Sequence, residues 1–148
     1  MKVYFDTSAI AKYFHNEEGS EQVIKLIDDT SSTIWISELA TIEFLSAFHR
    51  KFRMGEISEH ALQEVITAFE SKAATWNVEP FSILQTEEAS HIIAEYGKIT
   101  GIRTLDALHL AAFNLLRQDD WTFVAADKQL NNVAVTIGVN TIFIPLKE

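Results

Sequence analysis

The sequence predicts an α/β fold, a three-layer α/β/α sandwich on a mainly parallel sheet of about five strands. Short apolar runs rich in β-branched and aromatic residues alternate with longer segments whose apolar residues recur at helical spacing. This alternation is typical of βαβ units. The first run, Val3-Tyr4-Phe5, has no polar side chain in alternation, which is typical of a strand buried on both faces. The length of 148 residues predicts a single domain over residues 1–148.

The N-terminal half is predicted to contain two strands and four helices. Three of the helices follow a serine that can cap the free N–H groups of the first turn, namely Ser20, Ser37 and Ser58. The predicted elements are a strand at 3–5, helices at 9–14 and 21–28, a strand at 33–36, a helix from Ser37 to about Phe52 and a helix from Ser58 to about Ala74.

The C-terminal half is predicted to alternate strands with helices. Thr86 and Thr104 are the expected helix caps, and Pro80 favours an edge position for the strand that contains it because proline lacks an N–H donor. The predicted elements are a strand at 78–81, a helix from Thr86 to about Gly97, a helix at 105–117, a strand at 121–126, a helix at 128–133 and a strand at 141–144 that stops at Pro145.

Composition excludes several classes of function. The formal net charge is −9, with 12 Lys and Arg against 21 Asp and Glu, so nucleic acid is not expected to bind through the overall field of the protein. The absence of cysteine excludes disulfides and thiolate metal sites. Since no segment has the composition of a signal peptide or the length of a membrane span, we expect a cytoplasmic protein with no membrane association.

Four acidic residues lie in unusual settings. Asp6 and Asp127 directly follow apolar strands, at the edge where ligands bind in open α/β sheets. Asp106 lies in the first turn of the most apolar helix, and Glu43 interrupts another apolar helix. Converging carboxylates repel each other, but a hard divalent cation such as Mg²⁺ or Mn²⁺ removes that penalty and can activate a water for attack on a phosphodiester. The pattern therefore indicates metal-assisted phosphodiester hydrolysis.

Each acid also has a purely structural interpretation. Asp6 and Asp127 could only cap the helices that follow them. Asp106 could complement a helix dipole, and Glu43 could be a solvated helix residue. Their shared placement at junctions between elements favours a site, but spacing in the sequence leaves their convergence open.

Four segments of the chain carry a family pattern, namely Phe5-Asp6-Thr7-Ser8, the mid-helix Glu43, the run Arg-Thr-Leu-Asp-Ala-Leu-His-Leu-Ala at 103–111 and the run Val-Ala-Ala-Asp-Lys-Gln-Leu at 124–130. In this order they resemble the PIN domain, and most closely the VapC-like toxins of prokaryotic toxin–antitoxin pairs. The resemblance covers residues 3–130. One departure is Ala126, where a hydroxyl residue is frequent in the family.

The resemblance implies a Mg²⁺- or Mn²⁺-dependent endoribonuclease whose strand order is 3-2-1-4-5. It implies an acidic metal site and catalytic centre at Asp6, Glu43, Asp106 and Asp127, with Ser8 as the supporting hydroxyl. The implied partners are an RNA substrate and a cognate antitoxin protein. Because VapC-like proteins are commonly dimers, we also expect a homodimer that uses the helices at 20–28 and 37–52.

Several further residues remain open between two interpretations. His109, three residues after Asp106, could be a metal ligand, but an all-oxygen site favours a buried structural histidine. The basic run at 49–53, with Arg50, Lys51 and Arg53, could contact phosphate or be a solvated helix end. Lys128 is another candidate RNA contact. The three tryptophans are expected in the core.

Other functions are also conceivable. A catalytically silent RNA-binding or antitoxin-binding module would share the fold without turnover. A phosphatase of the aspartyl-phosphate type would need a second acid two residues after Asp6, where the chain has Ser8. Dinucleotide binding is disfavoured because no G-x-G-x-x-G motif follows the first strand.

Overall fold

A parallel sheet forms the centre of the computed structural model, which describes residues 1–145. Within that range its strands are β1 (Lys2–Phe5), β2 (Thr33–Ser37), β3 (Asn77–Glu79), β4 (Trp121–Ala125) and β5 (Asn140–Phe143). Their order is β3-β2-β1-β4-β5, and every neighbouring pair is parallel. The predicted order and the central position of the first strand are confirmed.

Helices cover both faces of the sheet and give the predicted three layers. They are α1 (Thr7–Phe14), α2 (Ser20–Asp28), α3 (Glu38–Arg53), α4 (Glu59–Ala73), α5 (Ile83–Thr100), α6 (Thr104–Leu116) and α7 (Lys128–Ile137). One core contains buried residues of α1 to α4, and a second contains buried residues of α5 to α7. None of the helices in residues 1–145 is long and apolar enough to cross a membrane.

The side chains of β1 divide between these two cores. Val3 and Phe5 pack with the α1–α4 layer, whereas Tyr4 packs with the α5–α7 layer, and all three are fully buried. Successive side chains of a strand point to opposite faces, so a central strand covered on both sides must be apolar throughout. The end of β1 therefore lies between two layers, and side chains from both can reach it.

Three predicted helix caps are wrong by a few residues. Ser20 is the first residue of α2 rather than its cap, and Gly19 holds the cap position with a φ of 90°. The Ser20 hydroxyl instead accepts from the Glu17 N–H at 2.9 Å, which fixes the preceding loop. Arg103, not Thr104, is the N-cap residue of α6.

The start of α5 shows the largest error of this kind. Ser82 caps α5 by accepting from the Gln85 N–H, so the helix begins before the predicted cap Thr86. The first helical residue, Ile83, is 71% exposed, and its apolar character made the segment look like the end of a strand. Gly97 lies within the helix, which ends only at Gly101, where φ is 63° and glycine is favoured.

The C-terminal strands and helix differ only in their limits. β3 ends at Glu79, so Pro80 lies just beyond it, and the strand is at the predicted edge of the sheet. α7 continues past the predicted end at residue 133 to Ile137 and stops at Gly138, whose φ is 91°. The start of β5 lies one residue before the predicted strand.

Candidate active site

Asp6 lies at the carboxyl end of the central strand and caps the helix that follows it. Its N–H continues the sheet by donating to the Val124 carbonyl at 2.9 Å. Its carboxylate caps α1 by accepting from the Ser8 N–H at 3.2 Å. The side chain is only 5% exposed. A buried carboxylate needs hydrogen bonds or a cation, so capping and site formation are compatible.

Ser8 joins the Asp6 turn to the end of β4. Its hydroxyl donates to Asp6 Oδ2 and accepts from the Ala126 N–H at 3.1 Å. One hydroxyl therefore fixes the carboxylate and satisfies a backbone donor on the neighbouring strand. Ala126 has no hydroxyl of its own, but its backbone still takes part in the site through Ser8.

Glu43 reaches the same region from the α1–α4 layer. Its neighbour Phe44 is fully buried, stacks on Phe69 at 4.0 Å between ring centroids and so holds this part of α3 against the core. Glu43 Oε1 accepts from Thr7 Oγ1 at 3.0 Å and is hydrogen-bonded to His109 Nε2. The contact with His109 joins α3 to α6 across the end of β1.

The electrostatics of this contact favour a charged pair. Burial opposes the charge on Glu43, but the hydrogen bond and charge of His109, together with Thr7, lower the pKa of Glu43 below its usual value. Burial likewise opposes the charge on His109, yet the Glu43 hydrogen bond and the Asp6 charge raise the pKa of His109. His109 is fully buried, and its Nε2 is 4.0 Å from Asp6 Oδ1. Burial of this histidine is confirmed, and it also contacts the predicted site.

Asp106 and Asp127 approach the site from α6 and from the end of β4. Asp127 Oδ1 caps α7 by accepting from the Leu130 N–H at 2.8 Å. The guanidinium of Arg103 lies between the two acids, with Nε 3.4 Å from Asp106 Oδ2 and Nη2 3.7 Å from Asp127 Oδ2. This arginine was not among the predicted site residues, although it directly precedes the predicted cap Thr104.

Three of the four acids act on one another electrostatically even where they do not touch. Burial and then the charge of Asp6 raise the pKa of Asp106, and Asp127 adds to this rise, while Arg103 opposes it. A cleft of about 380 Å³ opens beside these groups and is lined by Glu43, Asp106 and the 103–105 segment. Asp6, Asp106 and Asp127 are therefore coupled electrostatically, and Glu43 lines the adjoining cleft.

The four acids do not converge on a single metal position. Across residues 1–145, no three His, Asp or Glu side chains surround one point closely enough to hold an ion. Instead, His109 contacts Glu43 and approaches Asp6, while Arg103 lies between Asp106 and Asp127. An imidazole and a guanidinium from the chain itself thus contact the acids. A donor set of carboxylate oxygens suits Mg²⁺ or Mn²⁺, because both prefer oxygen ligands.

The basic residues singled out in the sequence lie outside this cluster. Arg50 and Arg53 are exposed near the C-terminal end of α3, whereas Lys51 is half-buried and pairs with Glu56 at 3.5 Å. Arg50 is two helical turns beyond Glu43, or about 10 Å along the axis. Lys128 is exposed and adjoins Asp127.

The tryptophans lie in or against the two cores, as predicted. Trp121 is buried and packs against Trp35 in a tilted arrangement, with 5.1 Å between ring centroids. Trp76 packs against the core of the α1–α4 layer. These rings are therefore not available as platforms for base stacking.

Comparison with solved structures finds the same fold over almost the whole chain. The structure of VapC20 from Mycobacterium tuberculosis, described as a Sarcin-Ricin loop cleaving toxin, has a TM-score of 0.69 at 14% identity, covering 99% of each chain. The structure of FitAcB from Neisseria gonorrhoeae has a TM-score of 0.68 at 17% identity, covering 97% of each chain. The structure of VapBC2 from Rickettsia felis, bound to a DNA fragment from its promoter, has a TM-score of 0.67 at 14% identity. The match covers 97% of this chain and 98% of that one.

Comparison with curated protein sequences finds no match. The model of the PIN domain family, however, matches residues 3–135, which include all four acids. With this match and the shared fold, the chain belongs to the PIN domain family.

Proposed function

We propose that the protein is a metal-dependent endoribonuclease, acting as the toxin of a toxin–antitoxin pair in the cytoplasm, and that residues 1–148 form one PIN domain. The observation that carries the proposal is the cluster of four carboxylates at the ends of β1 and β4, with Asp106 and Asp127 facing a common guanidinium. Such a concentration of buried negative charge destabilises a fold unless a cation offsets it.

The residues proposed to hold Mg²⁺ or Mn²⁺ are Asp6, Glu43, Asp106 and Asp127. When bound, such an ion would polarise a phosphodiester and lower the pKa of a water. The rest of the site supplies orientation. Ser8 fixes the Asp6 carboxylate through its hydroxyl and its N–H. We infer that these orientations are set before any ion arrives, because every partner is part of the folded chain.

Glu43 is oriented by a separate pair of residues. Thr7 and His109 contact the same carboxylate oxygen, Oε1. The second oxygen is therefore the one left to serve an ion or a water. His109 contributes to this role as an orienting group, because its Nε2 is engaged with Glu43 and its ring is fully buried.

RNA binding by a protein of net charge −9 requires a local basic surface. We propose that Arg50, Lys51 and Arg53 contact the RNA backbone away from the acids, and that Lys128 contacts it next to Asp127. The position of Arg50 two turns beyond Glu43, about 10 Å along the helix axis, supports this, since RNA held at the acids would pass within reach of it. Lys51 is the weakest member because Glu56 competes for its ammonium.

An antitoxin protein and a second copy of this chain are the proposed protein partners. The solved relatives include toxin–antitoxin complexes, one of them VapBC from Salmonella typhimurium bound to DNA. The proposed dimer surface is the outer side of α2 and α3, where Ile24, Ile42 and Leu45 are 39%, 63% and 38% exposed. Light scattering should give a dimer that Ile42→Asp dissociates, and a monomeric parent protein would contradict this part of the proposal.

The central experiment incubates purified protein with total RNA, with and without Mn²⁺. Cleavage is expected only with the ion. It should be lost in Asp6→Asn and kept in Asp120→Asn, the same change at an exposed turn before β4. Cleavage by Asp6→Asn at the parent rate would remove the acidic cluster from the reaction.

The same experiment separates the alternative function, a catalytically silent RNA-binding or antitoxin-binding module. The open arrangement of the acids is the observation that favours this alternative. RNA binding without cleavage in Mn²⁺ or Mg²⁺ would establish it.

A further inference from the structure

Arg103 has a position that the fold itself does not require. It is the N-cap residue of α6 but makes no side-chain capping bond, and its side chain is 73% exposed. Its guanidinium nevertheless lies across two carboxylates from different elements, Asp106 of α6 and Asp127 after β4. Within residues 1–145, it is the one Lys or Arg side chain within 4.0 Å of the four acids.

The oxygens that Arg103 approaches belong to the proposed metal ligands. Its nitrogens are 3.4 Å and 3.7 Å from the Oδ2 atoms of Asp106 and Asp127. A direct Mg²⁺ ligand lies at about 2.0–2.1 Å, so an ion on both carboxylates would be only a few ångströms from the guanidinium. Two cations at that distance repel, and the ion carries the larger charge. The guanidinium and the ion therefore compete for one place.

We propose that Arg103 is a displaceable internal cation, which neutralises Asp106 and Asp127 without metal, moves out when the ion binds and then contacts a phosphate of the RNA. The first half concerns only the acids and the ion. The second half, the phosphate contact, rests on the proposed function.

The surroundings of Arg103 permit this movement. Because most of its side chain is in solvent and its distances to the acids are long, little packing is lost when it leaves. It also lines the cleft of about 380 Å³ together with Glu43, Leu105 and Asp106. A displaced guanidinium therefore stays at the rim of the cleft that a scissile phosphate must enter. Its planar group of donors suits a phosphate better than an ammonium does.

The first test measures Mn²⁺ binding to the metal-free protein by calorimetry. Arg103→Ala and Arg103→Gln should each bind Mn²⁺ about two- to fivefold more tightly than the parent protein, the range expected for an exposed ion pair. Arg117→Ala is the matched control. It removes the same charge from an exposed arginine at the other end of α6, about 20 Å away, and should leave the affinity unchanged.

The second test measures binding of a labelled single-stranded oligoribonucleotide in EDTA and in Ca²⁺, which is used as a hard oxygen-binding ion in place of Mg²⁺. With Ca²⁺, Arg103→Ala should bind more weakly than the parent and with a salt slope lower by roughly 0.7, the loss of one phosphate contact. In EDTA the two proteins should have the same slope, because Arg103 is then engaged with the acids.

Opposite results would overturn the two halves separately. Mn²⁺ affinity that is unchanged or weaker in both Arg103 variants, with unchanged thermal unfolding, would show that the guanidinium does not compete with the ion. An unchanged salt slope in Ca²⁺ would exclude the phosphate contact. If the parent protein binds no RNA at all, the proposed function fails, while the calorimetric result still decides the competition.

Discussion

Substitution of Ser8 by alanine tests whether the Asp6 turn is held by one hydroxyl. The change removes a hydrogen bond to a carboxylate, which stabilises by about 1.5–3 kcal/mol, and leaves the Ala126 N–H without its partner. The Ser8 N–H keeps its own bond to Asp6, which limits the loss. We expect the free energy of unfolding to fall by about 2–3 kcal/mol. At about 2–4 °C per kcal/mol, the melting temperature falls by about 4–12 °C.

The assay is thermal unfolding of the metal-free protein, followed by Mn²⁺ calorimetry at a temperature where both proteins are folded. Mn²⁺ should bind Ser8→Ala more weakly, because Asp6 has lost part of its orientation. Ser90→Ala is the control, since its exposed hydroxyl only donates to the Thr86 carbonyl within α5. It should change stability by less than about 0.5 kcal/mol. A Ser8→Ala protein with the stability and Mn²⁺ affinity of the parent would refute this account of the turn.

Three more perturbations separate the parts of the site. Burial and the Asp6 charge raise the pKa of Asp106 in the folded protein. Protonated Asp106 therefore contributes its full stability at a pH below the pKa that this residue has in the unfolded chain. That stability is lost as the pH rises through the pKa of Asp106 in the folded protein. In EDTA, Asp106→Asn should therefore resist urea better than the parent at pH 7, and this advantage should disappear in acid. Lower resistance of Asp106→Asn at pH 7 would contradict the predicted direction of the stability change. His109→Gln retains a donor toward Glu43, so His109→Leu should be less stable than His109→Gln by about 1.5–3 kcal/mol in urea unfolding. Equal stabilities would mean that the contact with Glu43 contributes little. The Arg50→Ala/Lys51→Ala/Arg53→Ala variant should bind single-stranded RNA with a salt slope lower by up to about 2, or roughly 0.7 per lost contact. Its Mn²⁺ affinity should be that of the parent, and an unchanged slope would make this surface a solvated helix end.

The elements of the fold that could be predicted are those that a local pattern determines. The Val3-Tyr4-Phe5 run has to be buried on both faces, and the alternation of strands with helices implies a parallel sheet. No local pattern specifies the strand order, which could be expected only from the resemblance to the PIN domain. The cap of α5 was missed because exposed apolar residues follow Ser82, and no periodicity marks such a turn.

The contacts within the site were less accessible to sequence analysis. Asp6 and Asp127 could be expected near each other because each follows a buried strand. The contact between Glu43 and His109 joins residues 66 positions apart, and nothing local to either residue specifies it. Arg103 was missed for a related reason. Its local sequence indicates only the start of a helix, whereas its second ion pair is with Asp127, which follows β4.

The geometry of the site depends on both helical layers, because the acids are not carried by one element. Glu43 comes from the layer that packs on Val3 and Phe5, whereas Asp106 and His109 come from the layer that packs on Tyr4. Asp6 follows that central strand and lies between the two. A shift of one layer relative to the other would therefore change the distance between Glu43 and His109. The hydrogen bond between these two side chains thus connects the packing of both cores to the position of the carboxylates.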